Sequence, residues 1–239
     1  MTEDIILRYS HRGMTDLRDC LPPDYCRRAA AAILGWPRGT VLLTTGFYVA
    51  GHAETDGPAG TLVLARALEG LGFTPVVVTD SYCRGYFEPE GLEVVYMDPA
   101  AGEGAYRRLL ADRAPVGLIS VERCGENIEH DYANMRGVSI RAHSARLDLL
   151  FDLARGRIPT VGVGDGGNEI GMGNLAGPIR EKLSGRKLLL SFPAIRAFLE
   201  RTVALGSVDG VSGKPAPSVD GFALGVEEEI VESLRESAA

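Results

Sequence analysis

Ile158-Pro159-Thr160-Val161-Gly162-Val163-Gly164-Asp165-Gly166-Gly167-Asn168-Glu169-Ile170-Gly171-Met172-Gly173-Asn174 is an apolar, β-branched run that empties into a loop rich in glycine. From Gly164 onward, the side chains other than glycine are two acids, two asparagines, an Ile and a Met. Glycine at that density costs folding entropy, about 0.5–1 kcal/mol at each regular-structure position. The return is a backbone that turns sharply and lets a ligand approach closely. A strand that ends in such a loop is where an open α/β sheet places its site.

Working outward from this loop, the chain repeats the same unit. Short apolar runs at 41–45, 75–80, 93–98, 116–121 and 158–163 read as buried parallel strands. Between them lie helical patterns. Pro58 favours a first helical turn, Leu64, Leu68 and Leu71 follow at helical spacing, and Gly72 ends the run. A second helix is expected over 106–113. Leu147, Leu150, Phe151 and Ala154 mark a third, stopped by Gly156. Another helix is expected from the glycine loop to about residue 184, then helices over 192–205 and 226–234, with 208–217 a loop. Glu227, Glu228 and Glu229 suit the N-terminal turn of the last. Alternating βα units with right-handed crossovers predict an α/β, Rossmann-like, doubly wound and mainly parallel sheet, with helices on both faces and strand order 3-2-1-4-5. The site is expected at the C-terminal edge of the strands.

The 239 residues read as one domain, with 1–40 a helical lead-in and 187–239 a shortened C-terminal part. Hydrophobic content of 45% with 24% charged residues is that of a soluble globular protein, and the apolar stretches are too short for a membrane span. Net charge −7 with no Lys/Arg cluster argues against nucleic acid as a partner. Met1-Thr2-Glu3-Asp4 is neither a signal h-region nor a basic transit pattern, so a cytoplasmic location is expected. Cys20, Cys26, Cys83 and Cys124 form no CxxC or paired zinc spacing and read as free thiols. Cys124, at a strand end, is also weighed as a thiol near the site.

Three polar loops follow three of the five strands. The first holds Thr45, Gly46, Glu54, Thr55, Asp56 and Gly57. The second holds Glu122 and Arg123 and continues to Asn134 and Arg136. The third holds Asp165, Gly166, Gly167, Asn168, Glu169 and Asn174. In a parallel sheet these loops share one edge and can converge. Clustered carboxylates point either to a hard divalent cation with oxygen ligands, Asp165 and Glu169 being the candidates, or to an acid/base pair. Arginines and free amides suit an anionic ligand.

Each of these residues also has a purely structural reading. Asp56 before Gly57-Pro58 is a candidate N-cap, Asp80 and Asp98 are turn or cap residues, and Arg123 is a candidate ion-pair partner of Glu122 or Asp148. His52 and His130 read as solvated surface. There is no GxxxxGK[ST] and no GxSxG, and 162–167 matches a dinucleotide fingerprint only loosely, with acids that would repel a pyrophosphate.

Gly164 to Asn174 (GDGGNEIGMGN), Thr45-Gly46-Phe47 with Glu54-Thr55-Asp56-Gly57-Pro58, and Asn134-Met135-Arg136-Gly137 resemble the D-glutamate cyclase family. Val208-Asp209-Gly210-Val211 and Val219-Asp220-Gly221 extend the likeness over nearly the whole chain. The resemblance implies a hydro-lyase that converts D-glutamate to 5-oxo-D-proline and water. Animal members are mitochondrial with an extra N-terminal domain, so this chain is expected to be a stand-alone, bacterial-type version.

The reaction itself requires no cofactor, and a divalent cation (Mg or Mn) is the open alternative. Glu54, Asp56, Asp165 and Glu169 are the expected acid/base groups. Thr45, Gly46, Thr55, Gly57, Glu122, Arg123, Asn134, Arg136, Gly166, Gly167, Asn168 and Asn174 are expected around the substrate. Of these, Gly166 and Gly167 are assigned to the oxyanion and Arg123 or Arg136 to the α-carboxylate. A homo-oligomer is expected as an option. The family also carries a Ser-Asn-Trp-Gly stretch after the glycine-loop helix. Here Lys187 to Ser191 alone separates Arg186 from the Phe192 helix, and the sole tryptophan is Trp36. A differently specific or inactive carboxylate- or phosphate-binding protein of the same fold is the alternative.

Overall fold

The β-branched runs at 75–80 and 116–121 lie at the centre of the molecule, each strand buried on both sides. The computed structural model describes residues 2–10, 13–175, 177–178, 199, 201–219, 222–226, 228–230 and 233. In chain order the described elements begin with α1 (Thr2–Ile6), α2 (Met14–Leu17) and α3 (Tyr25–Leu34), the helical lead-in. Then come β1 (Thr40–Thr44), a hairpin of β2 (Tyr48–Val49) and β3 (His52–Ala53), and α4 (Pro58–Gly70). These are followed by β4 (Thr74–Thr79), β5 (Glu93–Tyr96), α5 (Glu103–Arg113), β6 (Gly117–Val121), α6 (Asp148–Ala154) and β7 (Thr160–Val163). A second hairpin, β8 (Ser218–Val219) with β9 (Phe222–Ala223), lies late in the chain.

The main sheet has the order β5-β4-β1-β6-β7, with every neighbouring pair parallel. Numbered by the five sheet strands alone, this is 3-2-1-4-5, as the crossover argument predicts.

Strand alternation divides the core in two. Val41, Leu43, Val77, Ile119 and Val121 face α4 through Ala59, Leu62, Ala65 and Leu68. Leu42, Val76, Val78 and Leu118 face α5 through Tyr106 and Leu109, and α6 through Leu150 and Ala154. Successive side chains of a strand point to opposite faces, so continuous apolar runs require helices on both sides. A third, smaller cluster of Phe47, Cys124, Tyr132 and Ile140 caps the strand ends.

The structure departs from the sequence reading in detail. The polar loop expected over 52–57 begins in strand, His52 and Ala53 forming a β2–β3 hairpin with Tyr48 opposite Ala53 and Val49 opposite His52. The glycine loop leads into a 3-10 turn, Met172–Leu175. The expected helix to residue 184 and the 187–191 junction lie outside the described residues. So does most of 192–198, although 199 and 201–204 are helical. Within 208–217 the chain turns without regular structure, as expected, and helical residues reappear from 224.

Candidate active site

Where β6 ends, the chain adopts an unusual conformation. Glu122 has φ +46°, the left-handed region that costs a side-chain-bearing residue about 1–2 kcal/mol, and such outliers gather at functional sites. Its amide donates to the Val163 carbonyl at the end of β7, so the two strand ends stay side by side. One residue on, the Arg123 carbonyl accepts from Ile170, and the Gly125 amide donates to the Asn168 carbonyl. With Cys124 bridged antiparallel to Glu169, the glycine loop folds back across the end of β6.

This fold-back creates the acid cluster. Oxygens of Glu122, Asp165 and Glu169 lie within 4.8 Å of one another. Glu122 and Glu169 are buried and Asp165 is half-buried. Glu169 accepts from the amides of Gly166 and Gly167, one to each carboxylate oxygen, both at 2.8 Å. Those two donors, expected at an oxyanion, here hold Glu169. Asn168 Nδ2 donates to the Ala133 carbonyl at 2.8 Å and ties the loop to the segment after β6. Three oxygens this close suit a hard cation or a shared proton.

The loop after β1 forms the neighbouring wall. Gly57 has φ +78°, and a Cβ there would lie 2.8 Å from Thr45 Oγ1 and 2.9 Å from Glu122 Cβ. Only glycine lets the start of α4 approach Glu122 so closely. Thr45 Oγ1 is buried and has no hydrogen-bond partner among the described residues. Asp56 is not the N-cap of α4: Gly57 holds that position, and Asp56 Oδ1 accepts from the Gly57 amide at 2.7 Å. Glu54 and Thr55 are almost wholly buried. Thr55 donates through Oγ1 to the Ser218 carbonyl at 2.6 Å, and Glu54 bridges Val208 in parallel. The segment from Val208 to Ser218 is therefore the floor under the Glu54–Asp56 loop. Asp209 pins that segment by accepting from Val211, Ser212 and the Ser218 hydroxyl at 2.7–3.1 Å.

The other expected residues sit elsewhere. Arg123 is 1% exposed and pairs with Asp80 at 2.7 Å, not with Glu122 or Asp148. It also donates to the carbonyls of Ala145, at 2.7 Å, and Gly46. Gly46 thus presents its carbonyl to a buried arginine. Asn134 spends its side-chain oxygen on its own turn, accepting from Arg136 and Val138 amides. Arg136 is exposed, and its guanidinium has no partner among the described residues. Asn174 lines a cleft of about 1130 Å³ along β7, whose wall also includes Glu169 and Asp148. The structure thus joins Glu122, Asp165 and Glu169, packs Gly57 against both Thr45 and Glu122, and leaves Arg136, Asn134 and Asn174 outside that group.

Sequence reasoning missed Asp80 as the arginine's partner and Asp209 as the pin of the floor. Their signal was present only as acids beside a strand end and a glycine. All four cysteines are free, and burial pushes the Cys124 thiol up to about 12, so it is held as an uncharged, inert group. No helix among the described residues is long and apolar enough to cross a membrane.

Comparison with known proteins adds two findings. Human mitochondrial D-glutamate cyclase is 29% identical over 169 residues, which is 60% of this chain and 27% of that protein. The chain therefore spans about a quarter of the length of the curated relative it matches. The family model described as D-glutamate cyclase-like, C-terminal, matches residues 3–194, including both the Glu54–Gly57 loop and the glycine loop. That match takes in most of the chain, which belongs to the D-glutamate cyclase-like C-terminal family.

Proposed function

We propose that this protein cyclises D-glutamate to 5-oxo-D-proline with release of water. The observation that supports this reading best is the group of Glu122, Asp165 and Glu169 oxygens within 4.8 Å at adjoining strand ends. Family membership supports the choice of an amino dicarboxylate as substrate.

Cyclisation asks for three things: a deprotonated amine, a protonated leaving oxygen, and a folded substrate. Charge balance in so tight a carboxylate group calls for a shared proton, and such a proton is available to the leaving oxygen. Glu169, bound by two amides, is the fixed anion of the group, so Asp165 or Glu122 delivers the proton. The Thr45 hydroxyl, buried next to Gly57 without a partner among the described residues, is a donor for the developing oxyanion. Glu54 and Asp56 shape the wall from their buried positions. Of the two arginines expected to hold the α-carboxylate, Arg123 is committed to Asp80, which leaves the exposed Arg136 as the one whose guanidinium could swing in from outside the acid group.

A second reading rests on the same three oxygens. Their spacing fits a divalent cation with oxygen ligands, held by Glu122, Asp165 and Glu169. Such an ion would supply Lewis-acid polarisation of the γ-carboxyl group.

The test is incubation of purified protein with D- and L-glutamate, with and without Mg²⁺ or Mn²⁺, followed by chiral chromatography for 5-oxoproline. Product from the D enantiomer is expected. No product from either enantiomer under any condition sinks the cyclase reading. Binding of glutamate that raises the melting temperature without turnover would favour a binding protein instead. In an active protein Asp165→Asn is expected to slow turnover about 10²–10⁴-fold.

A further inference from the structure

Three aromatic rings meet at the same edge of the sheet, on loops that leave three different strands. Tyr48 stacks on the His143 imidazole, with centroids 4.2 Å apart and planes within 10°. Tyr82 meets Tyr48 edge-on at 4.9 Å, and its hydroxyl lies 2.7 Å from His143 Nδ1. Tyr48 belongs to β2, Tyr82 to the 3-10 turn after β4, and His143 to the 3-10 turn at Arg141–His143.

The buried guanidinium of Arg123 ties these loops together. Its partners are the Gly46 carbonyl, the Asp80 carboxylate and the Ala145 carbonyl. Gly46 lies two residues before Tyr48, Asp80 two before Tyr82, and Ala145 two after His143. One desolvated cation therefore anchors the three loops that carry the rings, and the next residue before it in the chain is Glu122 of the acid cluster. His52 and His130 have no such setting. The His52 ring packs against Gly206, and His130 is exposed beside Glu126.

We propose that His143 is a catalytic proton carrier for the cyclisation, with Tyr82 and Tyr48 as the positioning residues that hold its ring. The proposal rests on D-glutamate being the substrate. A carboxylate is a weak acceptor for an ammonium proton near neutral pH, whereas imidazole titrates in that range. The tautomer this role requires carries its proton on Nδ1, donated to the Tyr82 oxygen, and offers the Nε2 lone pair, which has no partner among the described residues. A base oriented by a third group is the arrangement that nucleophile activation uses elsewhere.

The proton balance is complete without a co-reactant. The substrate ammonium gives one proton to His143 Nε2, and the freed nitrogen pair forms the N–C bond to the γ-carbon. The bonded nitrogen then gives a second proton to the carboxylate group, and one C–O bond breaks with its electrons on oxygen. Both protons then pass to that oxygen, which leaves as water.

The experiment measures 5-oxoproline formation by the full chain and by His143→Gln, Tyr82→Phe and His143→Ala. His143→Gln is expected to lower kcat about 10²–10⁴-fold with KM changed less than threefold. Tyr82→Phe should lower kcat by a smaller factor, and added imidazole should restore part of the His143→Ala rate by filling the slot against Tyr48. His130→Gln, as control, should keep the wild-type rate. A His143→Gln enzyme within twofold of wild-type kcat overturns the proposal, as does a His143→Ala enzyme that imidazole never rescues. If His143→Gln does not fold, imidazole ¹⁵N resonances of the wild-type protein decide: a His143 signal unmoved by D-glutamate overturns the proposal. A wild-type protein that neither forms 5-oxoproline nor is stabilised by D-glutamate defeats the substrate reading itself, and the His143 role falls with it. An active wild type with an unaffected His143 variant defeats the His143 role alone.

Discussion

Arg123 and Asp80 face each other at 2.7 Å with 1% of either side chain exposed. The pair joins the end of β4 to the end of β6 across β1, and the same guanidinium holds the Gly46 carbonyl between them. A buried pair of this kind adds little against an apolar replacement, but removing one partner strands a charge out of water. Asp80→Ala is therefore expected to destabilise the fold by about 3–5 kcal/mol in urea unfolding. Asp80→Leu combined with Arg123→Met should recover part of that loss. A single variant that costs less than about 1 kcal/mol would show that the cation finds water or another partner.

Glu169 carries a second structural expectation. Its two oxygens take the amides of Gly166 and Gly167, and hydrogen bonds to a charged group contribute about 1.5–3 kcal/mol each. Glu169→Ala should lower stability by about that much or more and loosen the loop. Amide hydrogen exchange at Gly166 and Gly167 should speed up by at least tenfold, while exchange in β1 stays slow. Unchanged protection at both glycines would show that the loop holds itself without the carboxylate.

Asp148 sets a pH dependence. Burial is the largest influence on its carboxyl and raises it above the ordinary 3.8, while the Tyr132 hydroxyl bond at 2.6 Å pulls it back. The folded chain thus keeps this proton to higher pH than the unfolded chain does. The resulting stability is fully present below 3.8 and is lost as pH rises through the folded-state value. Asp148→Asn keeps an acceptor for Tyr132 and removes the charge. It should raise the melting temperature relative to wild type at pH 7, and the gain should vanish near pH 3. A gain that is equal at both pH values would assign the effect to something other than this titration.

Thiol reactivity checks the core at two points. Burial pushes the Cys83 and Cys124 thiols up to about 12, whereas Cys20 is exposed. A disulfide reagent at pH 8 should label Cys20 at once in the folded protein. Cys83 and Cys124 should react only in denaturant, because the thiolate is the reactive form. Fast labelling of Cys124 in the native state would mean that the strand-end cluster of Phe47, Tyr132 and Ile140 opens readily.

Much of this architecture is written locally. Leu42 and Leu43 are neighbours that end in different cores, and a run of such residues between helical stretches already implies a sheet covered on both faces. Chirality of the crossovers then restricts the strand order to a few choices, of which 3-2-1-4-5 is the one found. The glycines around Asp165 and Glu169 likewise announce a close-approach loop from composition alone. These features depend on periods of two and 3.6 residues and on backbone sterics, which act over a few positions.

The partnerships inside the site have no such local trace. Arg123 reads equally well as a substrate clamp or a partner of Glu122, and only packing brings it to Asp80, 43 positions earlier in the chain. Tyr82 and His143 lie 61 residues apart, and Thr55 and Ser218 lie 163 apart, yet each pair is hydrogen-bonded. The left-handed turn at Glu122 becomes tolerable because β7 and α4 close around it. Such contacts are selected by the exclusion of water from a three-dimensional junction, where a buried charge or donor must find whichever partner the folded chain brings within reach.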